Sequence, residues 1–218
     1  MYSAETLNLV GYRNEAVPNT FFRQKGETRH VAILFPGLGY TAHMPVVYYP
    51  GRLLAARGAD VLRVEYTYNR RPDFQALPDE EQDRWFHADV TAACDAALAQ
   101  RSYEQVTLVG KSIGTLAMGY LLTTEPRLPR PQCVWLTPLL RNEQLCVQIK
   151  QVSHRALFVI GTADPQYDPA KLAEVQQATE GDSIVIDGAN HSLEIAGDVV
   201  QSIRALERII EGMQKFLD

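Results

Sequence analysis

At 218 residues, 46% hydrophobic and 22% charged, the chain is long enough for one substantial core, and its length requires no second domain. A formal charge of −5, spread over interleaved acidic and basic residues, gives no electrostatic footprint for nucleic acid or an anionic membrane surface, so the expected partner is a small molecule. Cys94, Cys133 and Cys146 are odd in number, widely spaced and set in apolar segments, which argues for reduced, buried thiols and against a disulfide framework or zinc site. The first residues carry no basic stretch followed by an apolar one, and no apolar run approaches the ~18 residues of a membrane span; a cytoplasmic protein without a membrane span is expected.

In chain order, residues 6–12 and 18–23 read as a hairpin, because Leu7, Leu9 and Gly11 alternate with polar residues and Asn14-Glu15 supplies turn chemistry. Residues 30–35, His-Val-Ala-Ile-Leu-Phe, form an apolar strand that runs into the loop Pro36-Gly37-Leu38-Gly39. Helical spacing over 44–57 stops at Gly58, and 59–66 returns to strand. A polar, Pro-containing segment over 69–82 precedes a helix over 83–100 whose apolar side carries Trp85, Val90, Cys94, Ala97 and Leu98. Residues 106–109 are a buried strand breaking into Gly110-Lys111-Ser112-Ile113-Gly114, followed by a helix that 126–131 stops. Strands over 133–136, 156–160 and 183–186 alternate with helices over 141–151, 169–178 and 199–216. The alternation from His30 onward predicts an α/β fold: a three-layer, doubly wound, mainly parallel sheet preceded by an antiparallel hairpin, in one domain over 1–218.

Gly110-Lys111-Ser112-Ile113-Gly114 is a nucleophile-elbow pattern: two residues without side chains let strand and helix approach closely, forcing the serine onto a strained turn above a helix N-terminus. A serine hydroxyl needs a base to take its proton, and the base needs an acceptor on its far nitrogen. In an open parallel sheet such groups gather at the carboxyl ends of the strands, where Ser112, Asp164 and His191 fall in that chain order. Asp168 stays open as the acid or as a helix cap, and Asp187 lies too near the last strand to be favoured. His43 either touches substrate or opens a helix; His30, His87 and His154 read as structural or solvated. Lys111 should point away from the serine, which argues against a Ser–Lys catalyst and for a place on the rim. Arg70 and Arg71 could meet an anionic substrate group or form a solvated pair near Asp73.

On Gly110-Lys111-Ser112-Ile113-Gly114, Gly161-Thr162-Ala163-Asp164 and Gly188-Ala189-Asn190-His191-Ser192, the chain from His30 onward resembles the α/β-hydrolase superfamily, in particular its small, lidless, esterase-like or dienelactone-hydrolase-like members. The resemblance implies Ser112 as nucleophile, His191 as general acid/base and Asp164 as orienting carboxylate. It implies an oxyanion hole from the N–H of Ile113 and a second N–H from the Gly37-Leu38-Gly39 loop, that of Leu38. Members of the group often carry His-Gly in this loop; here Pro36 stands in place of the His. An ester or thioester of a small acyl compound would be the substrate, with no metal or organic cofactor. Residues 138–155 leave room for one helix rather than a lid, so an open site is expected, with 68–83 as a partial wall. The alternatives are a non-catalytic binding protein of the same fold, or an acyltransferase or peptidase using the same residues.

Overall fold

The computed structural model describes residues 1–129, 131–152 and 154–218. Arg130, within the expected 126–131 helix stop, and Ser153, within the short 138–155 connection, lie outside the described residues. The strands are β1 (Tyr2–Glu5), β2 (Asn19–Gln24), β3 (His30–Phe35), β4 (Asp60–Val64), β5 (Gln105–Lys111), β6 (Gln132–Leu136), β7 (Arg155–Gly161) and β8 (Asp182–Ile186). The helices are α1 (Pro45–Ala56), α2 (Pro72–Gln75), α3 (Asp79–Leu98), α4 (Ile113–Thr124), α5 (Glu143–Gln151), α6 (Pro169–Thr179) and α7 (Val199–Leu217). All eight strands join one sheet in the order β1-β2-β4-β3-β5-β6-β7-β8. β2 is antiparallel to both β1 and β4, and every pair from β4 to β8 is parallel. This is the expected three-layer, mainly parallel architecture with an antiparallel N-terminal pair.

The apolar runs of the inner strands are continuous because both faces are covered. Consecutive side chains go to opposite layers: Ile33, Leu62 and Leu108 pack with Val90, Cys94, Met118 and Leu145 of α3, α4 and α5. Leu34, Val61 and Val109 pack with Val47 and Leu54 of α1 and Ile209 and Met213 of α7. Full burial of each such aliphatic side chain stabilises the fold by about 1.5–3 kcal/mol. All three cysteines are free and buried.

Two expectations shift. The first strand of the hairpin is Tyr2–Glu5, paired as Tyr2↔Gln24 to Glu5↔Phe21, rather than 6–12. The alternation of Leu7 and Leu9 marks a loop pinned by a side chain: Asn19 accepts from the Leu7 N–H (3.0 Å) and donates to its carbonyl (2.9 Å). Leu9 is buried as that loop's anchor, and the chain reverses at Arg13 and Asn14, both with positive φ. The long helix α3 starts at Asp79, not at 83, and the short α2 precedes it. Pro78 at the N-cap and three acids, Asp79, Glu80 and Glu81, in the first turn suit a helix start, and their polarity hides it from an apolar-periodicity reading.

Candidate active site

The site is built by three loops that leave the carboxyl ends of β5, β7 and β8, together with the loop after β3. At the first, Ser112 adopts φ 53°, ψ −118°, a conformation that side-chain-bearing residues rarely hold. The strain is held by packing that admits no side chain at the flanking glycines. A Cβ on Gly110 would lie 2.5 Å from the Gly114 carbonyl oxygen, and one on Gly114 would lie 2.0 Å from that of Phe35. β5, α4 and the end of β3 therefore meet at backbone distance, and Ser112 is lifted to the start of α4.

β7 ends at Gly161, where a Cβ would meet the Ala189 carbonyl oxygen at 2.0 Å. That contact brings the loop after β8 against the loop after β7, and the Ala163 N–H donates to Ala189 at 3.0 Å. Asn190 shapes the second loop, its side-chain oxygen accepting from the N–H groups of Ser192 (2.8 Å) and Glu194 (3.2 Å). The outcome is one hydrogen-bonded chain of side chains. His191 Nδ1 lies 2.9 and 2.8 Å from the two Asp164 carboxylate oxygens, and its Nε2 lies 2.9 Å from Ser112 Oγ. A carboxylate only accepts, so the imidazole donates from Nδ1 and the Ser112 hydroxyl donates to Nε2. Asp164 is buried, whereas the His191 side chain is 36% exposed and Ser112 half-buried, so this chain opens to solvent at one end.

Asp168 stands elsewhere. It caps α6, accepting from the Ala170 and Lys171 N–H groups, both at 3.0 Å. Asp187 accepts from the Thr162 hydroxyl. In the loop after β3, Gly37 faces Ser112 directly: its missing Cβ would be 3.5 Å from Ser112 Cβ. The Gly37 N–H donates to Tyr40 (3.0 Å), and Leu38, 43% exposed, follows at the mouth beside Gly39. His43 is exposed, 3.5 Å from Glu65. Arg70 is exposed on a turn over Tyr68–Arg70, while Arg71 is held by Glu15 and Asp73 and lies over the Trp85 ring. The 68–83 segment packs Tyr68 and Phe74 inward against Trp85 and Phe86.

Lys111 is the main departure from the sequence reading. It is not on the rim but 1% exposed, donating to the His191 carbonyl at 2.9 Å and to Thr137 Oγ1 at 3.3 Å, with its Nζ 4.5 Å from the centre of the Tyr40 ring. Burial pushes its ammonium group down to about 8, with the Asp164 carboxylate acting in the opposite direction. The period of two along β5 carried the signal: Lys111 shares the face of Thr107 and Val109, which is covered by α1 and α7. Thr137 and Tyr40 carry no signal in the sequence, because neither lies in a motif.

Between β6 and β7, the described residues form one helix, α5. A cavity of about 520 Å³, lined by His30, Gln105, Gln132 and Arg155, lies at the opposite edge of the sheet, where these strands begin. Among the described residues, no three His, Cys, Asp or Glu side chains stand close enough together to hold a metal ion, and no helix is long and apolar enough to cross a membrane.

No protein-family model matches the sequence, and no curated protein matches it. Solved structures do. An esterase of Pyrococcus furiosus superposes with a TM-score of 0.70 at 13% identity, over 100% of this chain and 92% of its own. A serine hydrolase without a lid from Xanthomonas campestris gives 0.63 at 18%, over 97% and 94%. Est1E from Butyrivibrio proteoclasticus, seen with ferulic acid bound, gives 0.71 at 14%, over 100% and 99%. The architecture is the α/β-hydrolase fold, spanning the whole chain.

Proposed function

We propose that this chain is a serine hydrolase that cleaves an ester or thioester of a small acyl compound through an acyl-enzyme on Ser112. The observation that carries the reading is the continuous Ser112–His191–Asp164 hydrogen-bonded chain beginning at a strained elbow. In this reading Ser112 Oγ attacks the acyl carbon while His191 Nε2 takes its proton; the imidazolium is stabilised by Asp164 and returns the proton to the leaving group. Water then attacks the acyl-enzyme with His191 again as base. The developing oxyanion is held by the N–H of Ile113 and by that of Leu38, because the Gly37 N–H is already engaged by Tyr40. Gly39 and His43, after β3, and Arg70, after β4, are exposed and follow the carboxyl ends of these strands, and in this reading they face the rest of the substrate. Three free, buried cysteines fit a reducing, cytoplasmic setting. Nitrophenyl esters and acyl thioesters of increasing chain length test the reading. Free acid should be released, and Ser112→Ala and Asp164→Asn should lower kcat/KM by about 10³–10⁴. Activity unchanged in Ser112→Ala would sink it, and acyl transfer to an added amine or alcohol in place of free acid would move it to the transferases.

A further inference from the structure

Lys111 is a cation buried with no carboxylate at hydrogen-bond distance among the described residues, an arrangement whose desolvation cost its two hydrogen bonds offset only in part. What surrounds it is unusual in the same way. Thr137, whose hydroxyl takes one of its hydrogen bonds, is fully buried and held at φ 45°, a strained setting for a branched residue. Its amide is fixed to the Val159 carbonyl at 2.7 Å. Tyr40, whose ring faces the ammonium, is anchored through its hydroxyl, which accepts from the Val46 N–H at 3.1 Å. The ends of β5 and β6 and the loop after β3 thus converge on one Nζ atom. Its remaining hydrogen bond goes to the backbone of the very residue whose ring abuts Ser112.

We propose that Lys111 is a positioning residue for His191, holding the backbone of its loop so that the imidazole meets Ser112 and Asp164 together. The inference rests on the serine-hydrolase reading. It accounts for a lysine immediately before the nucleophile that cannot itself serve as base: its Nζ is committed to Thr137 and His191 rather than to Ser112. The charged and titratable groups around the ammonium are Asp164 after β7, Tyr40 after β3 and His191 after β8, with Glu194 acting on Tyr40 from farther along that last loop. Only Asp164 is a carboxylate acting directly on Lys111, and it is shared with His191. The amine has lost part of its proton affinity on burial, which fits a group ionised near neutral pH in an apolar cage.

The test is the rate at which a fluorophosphonate labels Ser112 at pH 7 in the natural protein, in Lys111→Met and in Lys111→Gln, each shown to be folded by near-ultraviolet circular dichroism and compared in its urea midpoint. Lys111→Met, close in shape but without donor or charge, should label about 10- to 100-fold more slowly at neutral pH. Lys111→Gln keeps a donor for the His191 carbonyl, so its rate should recover in part. A purely structural role would slow both variants alike, in step with their lost unfolding stability, and would overturn the inference. Natural protein and both variants labelling alike would overturn the inference and leave the hydrolase reading standing. If neither variant folds, Lys111 belongs to the core rather than to His191, and the inference is overturned as well. Failure of the natural protein to label removes the hydrolase reading and this inference with it.

Discussion

Asp164 and Asp168 are four residues apart, and sequence alone left both open as the acid. Geometry separates them, since one carboxylate meets the imidazole and the other two backbone N–H groups. Gly37 makes a finer point: an added methyl would press at 3.2 Å on Cβ of the buried Tyr40 and at 3.5 Å on Ser112 Cβ, close to the reacting hydroxyl. Gly37→Ala should therefore lower kcat/KM for ester hydrolysis by about 10- to 100-fold while leaving the melting temperature within a few degrees of the natural protein. At Gly114, where the same methyl would meet a backbone oxygen at 2.0 Å, the outcome should be loss of the folded protein, read by circular dichroism and solubility. Ser112, Asp164 and His191 could be picked out in the sequence because each ends a strand in a glycine-containing turn. Lys111 could be picked out too, but its buried place could not, and Tyr40 and Thr137 carry no motif, because the meeting of the three depends on three-dimensional convergence of β5, β6 and the loop after β3.

Among the elements, α6 offers a clean separation of structure from chemistry. Asp168→Ala removes the carboxylate oxygen that accepts from two N–H groups at the start of α6 and should cost about 1 kcal/mol in denaturant unfolding, with ester hydrolysis unchanged. A large loss of activity in a folded Asp168→Ala protein would reopen the assignment of the acid. The inner strands and most helices were legible because their apolar periods survive unmixed, as in His30–Phe35, read with its observed bounds. The misread elements share a cause. β1 is short and mostly exposed at the sheet edge, so it carries no buried pattern, and the first turn of α3 is acidic. Loop 6–18 imitates a strand because Asn19 replaces ladder hydrogen bonds with side-chain ones.

For the whole molecule, Asp89 ties stability to pH. It lies on α3, accepts from the Tyr68 hydroxyl at 2.6 Å and the Tyr12 N–H at 3.0 Å, and burial raises its carboxyl to about 6. Between about pH 4 and pH 6 the folded chain keeps a proton that the unfolded chain has released, so stability falls as the pH rises through that window, by up to about 3 kcal/mol. Urea midpoints at pH 4.5 and 7 should show this fall, and Asp89→Asn should flatten it; an unchanged slope would refute the assignment. Lys111 acts with the opposite timing: its depressed value makes stability rise from about pH 8 toward the ordinary lysine range. Access to the site belongs to this scale too. With the His191 side chain 36% exposed, KM for nitrophenyl esters should change little as the acyl chain lengthens, whereas a site enclosed by a lid would make it vary steeply.

Whether this geometry makes Ser112 a nucleophile is decided by reacting the folded protein with a fluorophosphonate at pH 7 and mapping the adduct by peptide mass spectrometry. One adduct is expected, on the peptide containing Ser112, absent from Ser112→Ala and strongly reduced in His191→Ala. A folded protein that stays unmodified, or one modified elsewhere, would contradict it.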